Sequence, residues 1–192
     1  MGGFLHVKTR KKITESAMML SLAMLLSFFA VFHLPNGGAV TIGSMVPLLF
    51  IAFKYNWRWS LVTAFAFSLL QMMVGFYAPP TQNLLSFILV VLLDYVLAFS
   101  VLGVAGILYK KLAHTMKENK RLVIAMLFCF FLRFLCHFIS GILIWNVYAP
   151  AGQPVWLYSL LYNGSYMSAE ALISGIFLWL AGPRLLARFK AI

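Results

Sequence analysis

Apolar residues form long, nearly uninterrupted runs along this chain, and short polar or basic stretches separate them. A membrane-spanning α-helix needs about 20 such residues, whereas a membrane β-strand shows only about ten residues of alternating pattern. The pattern therefore predicts an all-α integral membrane protein with a single membrane domain over residues 1–192. The expected bundle has six spans, at residues 14–34, 40–53, 57–76, 84–108, 122–147 and 154–180. The second span is short, which indicates a tilted helix or a locally thinned bilayer.

The basic residues set the orientation of these spans. The formal net charge is +11, and Lys and Arg occur before span one, between spans two and three, between spans four and five, and after span six. These residues are Lys8, Arg10, Lys11, Lys12, Lys54, Arg58, Lys110, Lys111, Lys117, Lys120, Arg121, Arg184, Arg188 and Lys190. By the positive-inside rule both termini are cytoplasmic. Topology and affinity for the lipid bilayer explain the charge, so no nucleic acid partner is expected.

Sequence motifs for nucleotide or metal chemistry are missing. There is no GxxxxGK[S/T] loop, no zinc-type Cys/His cluster and no polar region large enough for a catalytic domain. Cys129 and Cys136 would lie about 10 Å apart on one helix, too far for an easy disulfide. Span one has no cleavage pattern after it and is interpreted as uncleaved. We therefore expect no metal and no cofactor, and any ATPase must be a separate chain.

Three ionisable residues lie at membrane depth: Asp94, Arg133 and Glu170. A charge inside a span costs about 2.5–3.5 kcal/mol on insertion scales, so each of them needs a partner or a function. Arg133 can neutralise only one acid, and Glu170 is slightly favoured over Asp94 as its partner. One carboxylate is then left to meet a cation.

Helical periodicity groups several polar and aromatic residues. At 100° per residue, His137, Gly141 and Trp145 fall on one face of span five. On span six, Asn163 and Glu170 are nearly eclipsed. The residues completing this set are Tyr95, next to Asp94, and Tyr158, nearer the outer surface. Together they predict an externally open aromatic cavity with one spare negative charge, as a small-ligand site requires.

Simpler explanations exist for the same residues. Trp145, Trp156 and Tyr158 could belong to the interfacial aromatic belt, Gly141 could only allow close helix packing, and His137 could be a hydrogen-bonded bundle histidine. In span one, the small residues Ala17 and Ser21 lie four positions apart. They serve either internal packing or an interface with a partner membrane protein.

Four segments resemble a known family: "LPNGGAVTIGSMVPLL", "LLDYVLAFSVLGVAGIL", "HFISGILIW" and "YSLLYNGSYMSAEALI". They are similar to the thiamin-specific S components of energy-coupling factor (ECF) transporters, vitamin uptake systems of Gram-positive bacteria. The resemblance implies a six-helix protein of the bacterial cell membrane that captures thiamin outside the cell with high affinity. It also implies partners: a transmembrane scaffold subunit and two ATPase subunits that supply the energy.

The resemblance also implies roles for individual residues. Trp145 and His137 would hold the cationic thiazolium of thiamin, with Asp94 as counterion, although some members have Glu at that position. The other ligand-binding positions that match are Tyr77, Tyr95, Gly141, Tyr158 and Asn163. The Trp and Glu that some members carry near helix two are missing here, and Glu170 is the hypothetical replacement for that carboxylate. "LPNGGAV" would be a lid, and Ala17 and Ser21 would face the scaffold.

Three alternatives remain open at this stage. The protein could be an S component for another vitamin such as riboflavin, although a neutral flavin needs no spare carboxylate. It could be a membrane-embedded enzyme that uses Asp94, Glu170 and His137 as acids and bases. It could also be a structural subunit whose polar residues only stabilise the bundle.

Overall fold

The chain is mostly helical. The computed structural model describes the backbone of residues 2–191 and their side chains except those of 2–6 and 8, so the Lys8 side chain lies outside the described part. The helices are α1 (Gly2–Phe28), α2 (Val46–Lys54), α3 (Trp57–Val74), α4 (Leu84–Lys111), α5 (Glu118–Leu143), α6 (Val155–Leu180) and α7 (Gly182–Ala191). Strands β1 (Ala30–His33) and β2 (Ala39–Thr41) form an antiparallel hairpin between α1 and α2.

Membrane-spanning capacity, judged on the described residues by length and apolar composition, is clearest in α4 and α5. A third candidate combines α6 with α7, which are bent by 66° relative to one another. Helices α3 and α4 begin where the pattern predicts spans three and four to begin. In both cases an asparagine caps the helix: Asn56 accepts from the Trp59 N–H, and Asn83 accepts from the Ser86 N–H.

The end of the first predicted span is a strand and not a helix. Span one is expected to continue to residue 34, but α1 ends at Phe28 and β1 follows at Ala30–His33. The segment "FFAVFH" is rich in aromatic and β-branched residues, which favour strands, and hydropathy alone does not separate a short strand from a helix end. The hairpin turn uses Gly37 and Gly38 at positive φ values of 89° and 86°.

The second predicted span is a buried strand followed by a short helix. Helix α2 has nine residues, about 14 Å at 1.5 Å per residue, so it cannot cross the hydrocarbon core alone. Its residues from Val46 to Phe53 are all buried. Other helices therefore surround α2. Non-helical backbone such as β2 is tolerated at membrane depth when protein surrounds it or it lines a cavity.

Helix α4 is irregular in the stretch that faces the interior. A π-helical turn over Val91–Leu97 contains Asp94, and a 3-10 turn follows at Val101–Val104. At Gly103 the backbone of Leu61 on α3 lies where a Cβ would be, so only glycine fits this close approach. Single π turns inside α-helices occur often at functional sites.

Charged residues from five helices meet at one end of the molecule. Lys54 at the end of α2 forms an ion pair with Glu15 of α1 (2.6 Å) and donates to the backbone carbonyl of Phe189 on α7. Nearby, Tyr109 of α4 donates to Glu118 of α5 at 2.7 Å. The further basic side chains that contact this group are Lys12, Lys110, Arg121 and Lys190. The basic residues thus collect where the charge pattern predicts a cytoplasmic surface.

Candidate functional site

A cavity of about 200 Å³ lies between the hairpin and helices α3 to α6. Eight of the nine residues that the sequence predicts for a ligand site line it: Tyr77, Asp94, Tyr95, His137, Gly141, Trp145, Tyr158 and Asn163. The ninth, Glu170, does not. The structure thus brings together residues from four separate segments of the chain.

Asp94 is the centre of the polar network in this cavity. Its Oδ1 lies 2.9 Å from His137 Nδ1, and its Oδ2 accepts from Ser140 Oγ at 2.6 Å and from Trp145 Nε1 at 3.0 Å. The carboxylate is therefore engaged by three protein groups. The remaining ring nitrogen of His137, Nε2, is buried and has no hydrogen-bond partner among the described residues. A buried polar atom without a partner is costly, and this one belongs to a residue that lines the cavity.

Trp145 reaches the cavity from outside helix α5. Span five is expected to run to residue 147, with Trp145 on the helical face of His137, but α5 ends at Leu143 and a 3-10 turn covers Trp145–Tyr148. At this helix end the Asn146 side chain donates to the Ile142 carbonyl at 2.9 Å, which satisfies an acceptor of the last turn. The indole is held by Asp94 and by stacking on Tyr148, with ring centroids 6.2 Å apart.

Gly141 permits close packing of α5 on α6. A Cβ at this position would collide with the Ser159 hydroxyl and lie 3.0 Å from Asn163 Nδ2. The space beside Gly141 is therefore filled by α6 side chains, which is the simpler of the two explanations for this glycine. Asn163 is used in the same contact, because its Nδ2 donates to the His137 carbonyl at 3.2 Å and its Oδ1 accepts from Tyr166.

Tyr95 and Tyr77 connect α4 to the loop after α3. The Tyr95 hydroxyl donates to the Gly75 carbonyl at 3.0 Å and accepts from the Tyr77 N–H at 2.8 Å, and its ring stacks on Phe76. The Tyr95 hydroxyl is therefore occupied by backbone groups. The Tyr77 ring lies against Gly37, at 3.3 Å from the position of a Cβ there. Tyr77 thus contacts the turn of the hairpin.

The hairpin turn lies over the cavity and is bound to α6. The Tyr162 hydroxyl accepts from the Asn36 N–H at 3.0 Å and donates to the Gly37 carbonyl at 2.8 Å. Gly38 lies so close to the Tyr166 ring that a Cβ would be 2.8 Å from it. The segment that the sequence predicts as a lid therefore lines the cavity, and its role as a lid stays a prediction.

Glu170 lies behind the hairpin instead of in the main cavity. Its carboxylate accepts from the Thr41 N–H at 2.5 Å and from the Thr41 hydroxyl at 2.7 Å, so it fastens β2 to α6. It lines a smaller adjoining pocket of about 20 Å³ together with Arg133. The helical angle predicts the face of α6 on which Glu170 lies, but not the strand that packs on that face.

Arg133 has no carboxylate partner among the described residues, so the expected ion pair with Glu170 or Asp94 is not formed. Its Nη1 lies 3.2 Å from Met45 Sδ, and its guanidinium lies 4.1 Å from the centre of the Phe99 ring. Arg133 is 9% exposed and lines both the cavity and the smaller pocket. The Glu170 carboxylate is instead taken up by Thr41 of β2.

Several cavity residues are missing from the sequence prediction. They include Ser27, Gln71, Phe99, Tyr162 and Tyr166. Tyr162 and Tyr166 follow Tyr158 at intervals of four, a spacing that places them along one helix face, so this signal was available in the sequence. Ser27 and Gln71 carry no comparable signal, because their position depends on how α1 and α3 pack.

Ala17 and Ser21 lie on the outward face of α1, and both are exposed. The inward face carries Glu15 and Ser16, which are buried, and Ser16 accepts from Trp59 Nε1 at 2.8 Å. Packing within the described part of the chain therefore does not explain why Ala17 and Ser21 are small.

Apolar side chains on the outer surface and an aromatic cavity lined in part by the hairpin define a helical membrane protein with a site for a small molecule. The family model described as "Thiamine transporter protein (Thia_YuaJ)" matches residues 13–189. The "Thiamine transporter ThiT" of Bacillus subtilis (strain 168) is 33% identical over 193 residues, which cover 94% of this chain and 96% of that protein. The chain belongs to the thiamine transporter family, whose members are transport proteins and not enzymes.

More distant relatives agree in sequence and fold. The "Thiamine transporter ThiT" of Lacticaseibacillus paracasei is 25% identical over 165 residues, or 79% of this chain and 77% of that one. A solved structure of ThiT from Listeria monocytogenes superimposes with a TM-score of 0.75 at 23% identity, covering 93% of this chain and 98% of that one. At this identity the structural match establishes the shared fold.

Proposed function

We propose that the protein binds thiamin with high affinity at this cavity and serves its uptake as the S component of an ECF transporter. The observation that carries the proposal is a carboxylate, Asp94, held beside the indole of Trp145 inside an aromatic cavity of a thiamine transporter family member. Thiamin carries a permanent positive charge on a flat ring. A buried carboxylate and an indole face both favour such a cation, the indole by about 0.5–2 kcal/mol.

The assignment of residues follows their positions around the cavity. The thiazolium is proposed to lie against Trp145 and His137, with Asp94 as the nearest negative charge. Tyr158 and Asn163, which lie on α6, would contact the pyrimidine ring or the hydroxyl group of thiamin. Because Glu170 is bound to Thr41, we no longer propose a direct contact between Glu170 and the ligand.

Titration of the purified protein with thiamin tests the proposal directly. We expect quenching of tryptophan fluorescence and a calorimetric signal that saturates at one thiamin per chain. Riboflavin and biotin serve as controls and should give no signal. Binding of riboflavin without binding of thiamin would mean that riboflavin is the ligand. If none of the three compounds binds, the result would favour a structural subunit.

The proposed arrangement in the bacterial cell membrane has six spans, with both termini in the cytoplasm. The apolar exposed surface and the basic end of the bundle support it. In protein whose cysteines are replaced by Ala, Gln82→Cys should react with a membrane-impermeant maleimide on intact cells, whereas His114→Cys should react only after lysis. Both positions are exposed, so equal labelling would contradict the arrangement.

The energy for uptake is proposed to come from subunits other than this chain. A transmembrane scaffold subunit and two ATPase subunits would associate with this chain, because the sequence holds no phosphate-binding loop. Co-purification of tagged protein with such subunits from a membrane that contains them is the measurement that checks this. Thiamin uptake into vesicles containing this chain alone, without ATPase subunits, would contradict it.

A further inference from the structure

Ser140 lies behind the cavity wall, where it joins two of the residues that face the ligand. Its hydroxyl donates to Asp94 Oδ2 at 2.6 Å and accepts from Trp145 Nε1 at 3.1 Å. The Trp145 N–H also reaches Asp94 Oδ2 directly at 3.0 Å. Three polar atoms therefore form a closed triangle. Ser140 is fully buried and is not among the residues that line the cavity, whereas Asp94 and Trp145 line it.

The position of Trp145 does not follow from helix α5. The helix ends at Leu143, and Ile144 has φ −121° and ψ −46°, outside helical geometry. A 3-10 turn over Trp145–Tyr148 then leads into an exposed loop. The rotation of the indole must be fixed by side-chain contacts, and those with polar atoms are the bonds to Asp94 and Ser140.

A hydroxyl suits this point because it donates and accepts at the same time. Serine inside a helix usually donates to a backbone carbonyl one turn earlier, but the Ser140 hydroxyl donates to Asp94 instead. Alanine would keep the helix, since it is the best helix former, but would remove both bonds. The Asp94 carboxylate would then lose its shortest donor, and the indole would lose one of two acceptors.

We infer that Ser140 is a positioning residue for ligand binding, which holds the Asp94 carboxylate and the Trp145 indole in the geometry that receives a flat cation. This inference rests on the proposed function. It predicts that the geometry exists before the ligand arrives, because every bond of the triangle lies within the protein.

The decisive variant is Ser140→Ala, with thiamin affinity measured by calorimetry. We expect the dissociation constant to rise about ten-fold, which corresponds to about 1.4 kcal/mol. Ser140→Thr retains the hydroxyl and should recover most of the affinity. Ser174→Ala is the matched control, because Ser174 is also fully buried and its hydroxyl has no hydrogen-bond partner among the described residues. That control should bind thiamin as the native protein does.

A second readout uses no ligand. In protein labelled with [15N]tryptophan, the five indole N–H signals can be assigned to residues by single Trp→Phe substitutions. Ser140→Ala should shift the Trp145 signal upfield, because the indole loses a hydrogen-bond acceptor, and should leave the other four in place. Ser174→Ala should move none of them. A purely structural effect of the substitution would not single out Trp145.

The outcomes separate this inference from the proposed function. An unmoved Trp145 signal or unchanged affinity in Ser140→Ala would overturn the positioning role. If Ser140→Ala cannot be purified, Ser140→Cys keeps the volume with weaker hydrogen bonding, and the same two measurements apply to it. If the native protein does not bind thiamin, the proposed function is wrong, while the ligand-free Trp145 signal still decides whether Ser140 positions the indole.

Discussion

Asp94 bonds to three protein groups through two oxygens, and it also supplies a negative charge that the isosteric amide lacks. In Asp94→Asn, one carboxylate oxygen is replaced by an N–H₂ donor. In one orientation this donor faces the Trp145 N–H and the Ser140 hydroxyl. In the other orientation it faces the His137 ring. The first orientation sets donor against donor, and the second needs the His137 tautomer that accepts at Nδ1, but both remove the negative charge that favours a cation. We expect thiamin affinity to fall at least ten-fold, about 1.4 kcal/mol, as measured by calorimetry.

Glu118→Gln is the control for this substitution. Glu118 is also a carboxylate that accepts from a side chain, the Tyr109 hydroxyl, but it lies at the basic end of the bundle. The same chemical change there should leave thiamin affinity unaltered. Equal losses in the two variants would mean that the effect of Asp94→Asn reflects general damage and not the loss of a local charge.

Gly141 should be intolerant of even one methyl group. In Gly141→Ala the new Cβ would collide with Ser159 and press on Asn163, and both helices are fixed by contacts along their length. Overpacking of this kind costs about 1–3 kcal/mol. We expect a lower melting temperature, by about 2–4 °C for each kcal/mol, together with weaker thiamin binding.

Gly164→Ala is the matched change on the facing helix. A Cβ there meets only Phe134 at 3.9 Å, an ordinary contact distance. Because alanine is a better helix former than glycine by about 0.5–1 kcal/mol, the melting temperature should stay constant or rise. If Gly141→Ala behaves in the same way as Gly164→Ala, the packing explanation for Gly141 is wrong.

At the scale of elements, the hairpin is the proposed lid of the cavity. Its turn is bound to α6 by the two hydrogen bonds of Tyr162, while its base is fastened by Thr41 to Glu170. Tyr162→Phe removes only the bonds at the turn, each of which contributes about 0.5–1.5 kcal/mol. The loss of both bonds, about 1–3 kcal/mol together, should make thiamin dissociate faster, by about five-fold or more, in a stopped-flow displacement experiment.

Tyr148→Phe provides the comparison for the hairpin experiment. Tyr148 is exposed and stacks on Trp145, but its hydroxyl has no recorded hydrogen bond among the described residues, so phenylalanine preserves its contact. Dissociation from this variant should match the native rate. A native dissociation rate in Tyr162→Phe would show that the turn is not held closed by α6.

The sequence predicted the regular helices better than the irregular elements between them. Helices α3, α4 and α6 begin at or within one residue of the expected positions, because capping residues and apolar runs are local signals. The hairpin was assigned to helices, since its short apolar strands add to the hydropathy of their neighbours. The π turn at Asp94 and the helix end before Trp145 depend on contacts with other elements, which periodicity does not contain.

In the candidate site, too, local signals were predictive and contacts between elements were not. Family resemblance and helical angles placed His137 and Asn163 in the cavity, since residues on one helix face stay together in any packing. Charge counting predicted a carboxylate inside the bundle but assigned Arg133 the wrong partner. The Glu170 carboxylate is taken up by the backbone N–H of Thr41 in β2, a strand that was not predicted from the sequence. An ion pair between residues of two elements can be predicted only when the other elements that compete for the same charged groups are known.

At the scale of the whole molecule, apolar side chains are exposed over most helices while polar contacts are kept inside or at the basic end. This distribution suits a protein surrounded by lipid, where polar groups must find partners within the chain. The outward face of α1 differs, because Ala17 and Ser21 leave a shallow surface between larger side chains such as Met18 and Leu25. Small residues at this spacing allow another helix to approach closely.

The α1 face is the proposed contact with the transmembrane scaffold, and Ala17→Trp tests it. The indole would fill the shallow surface and hold an approaching helix away, so co-purification with the scaffold and ATPase subunits should be lost. Thiamin affinity should be unchanged, because Ala17 is exposed and does not line the cavity. Leu172→Trp, which places the same indole at an exposed position of α6, should leave the complex intact. Loss of thiamin binding in Ala17→Trp would indicate misfolding, and an intact complex would remove this face of α1 from the interface.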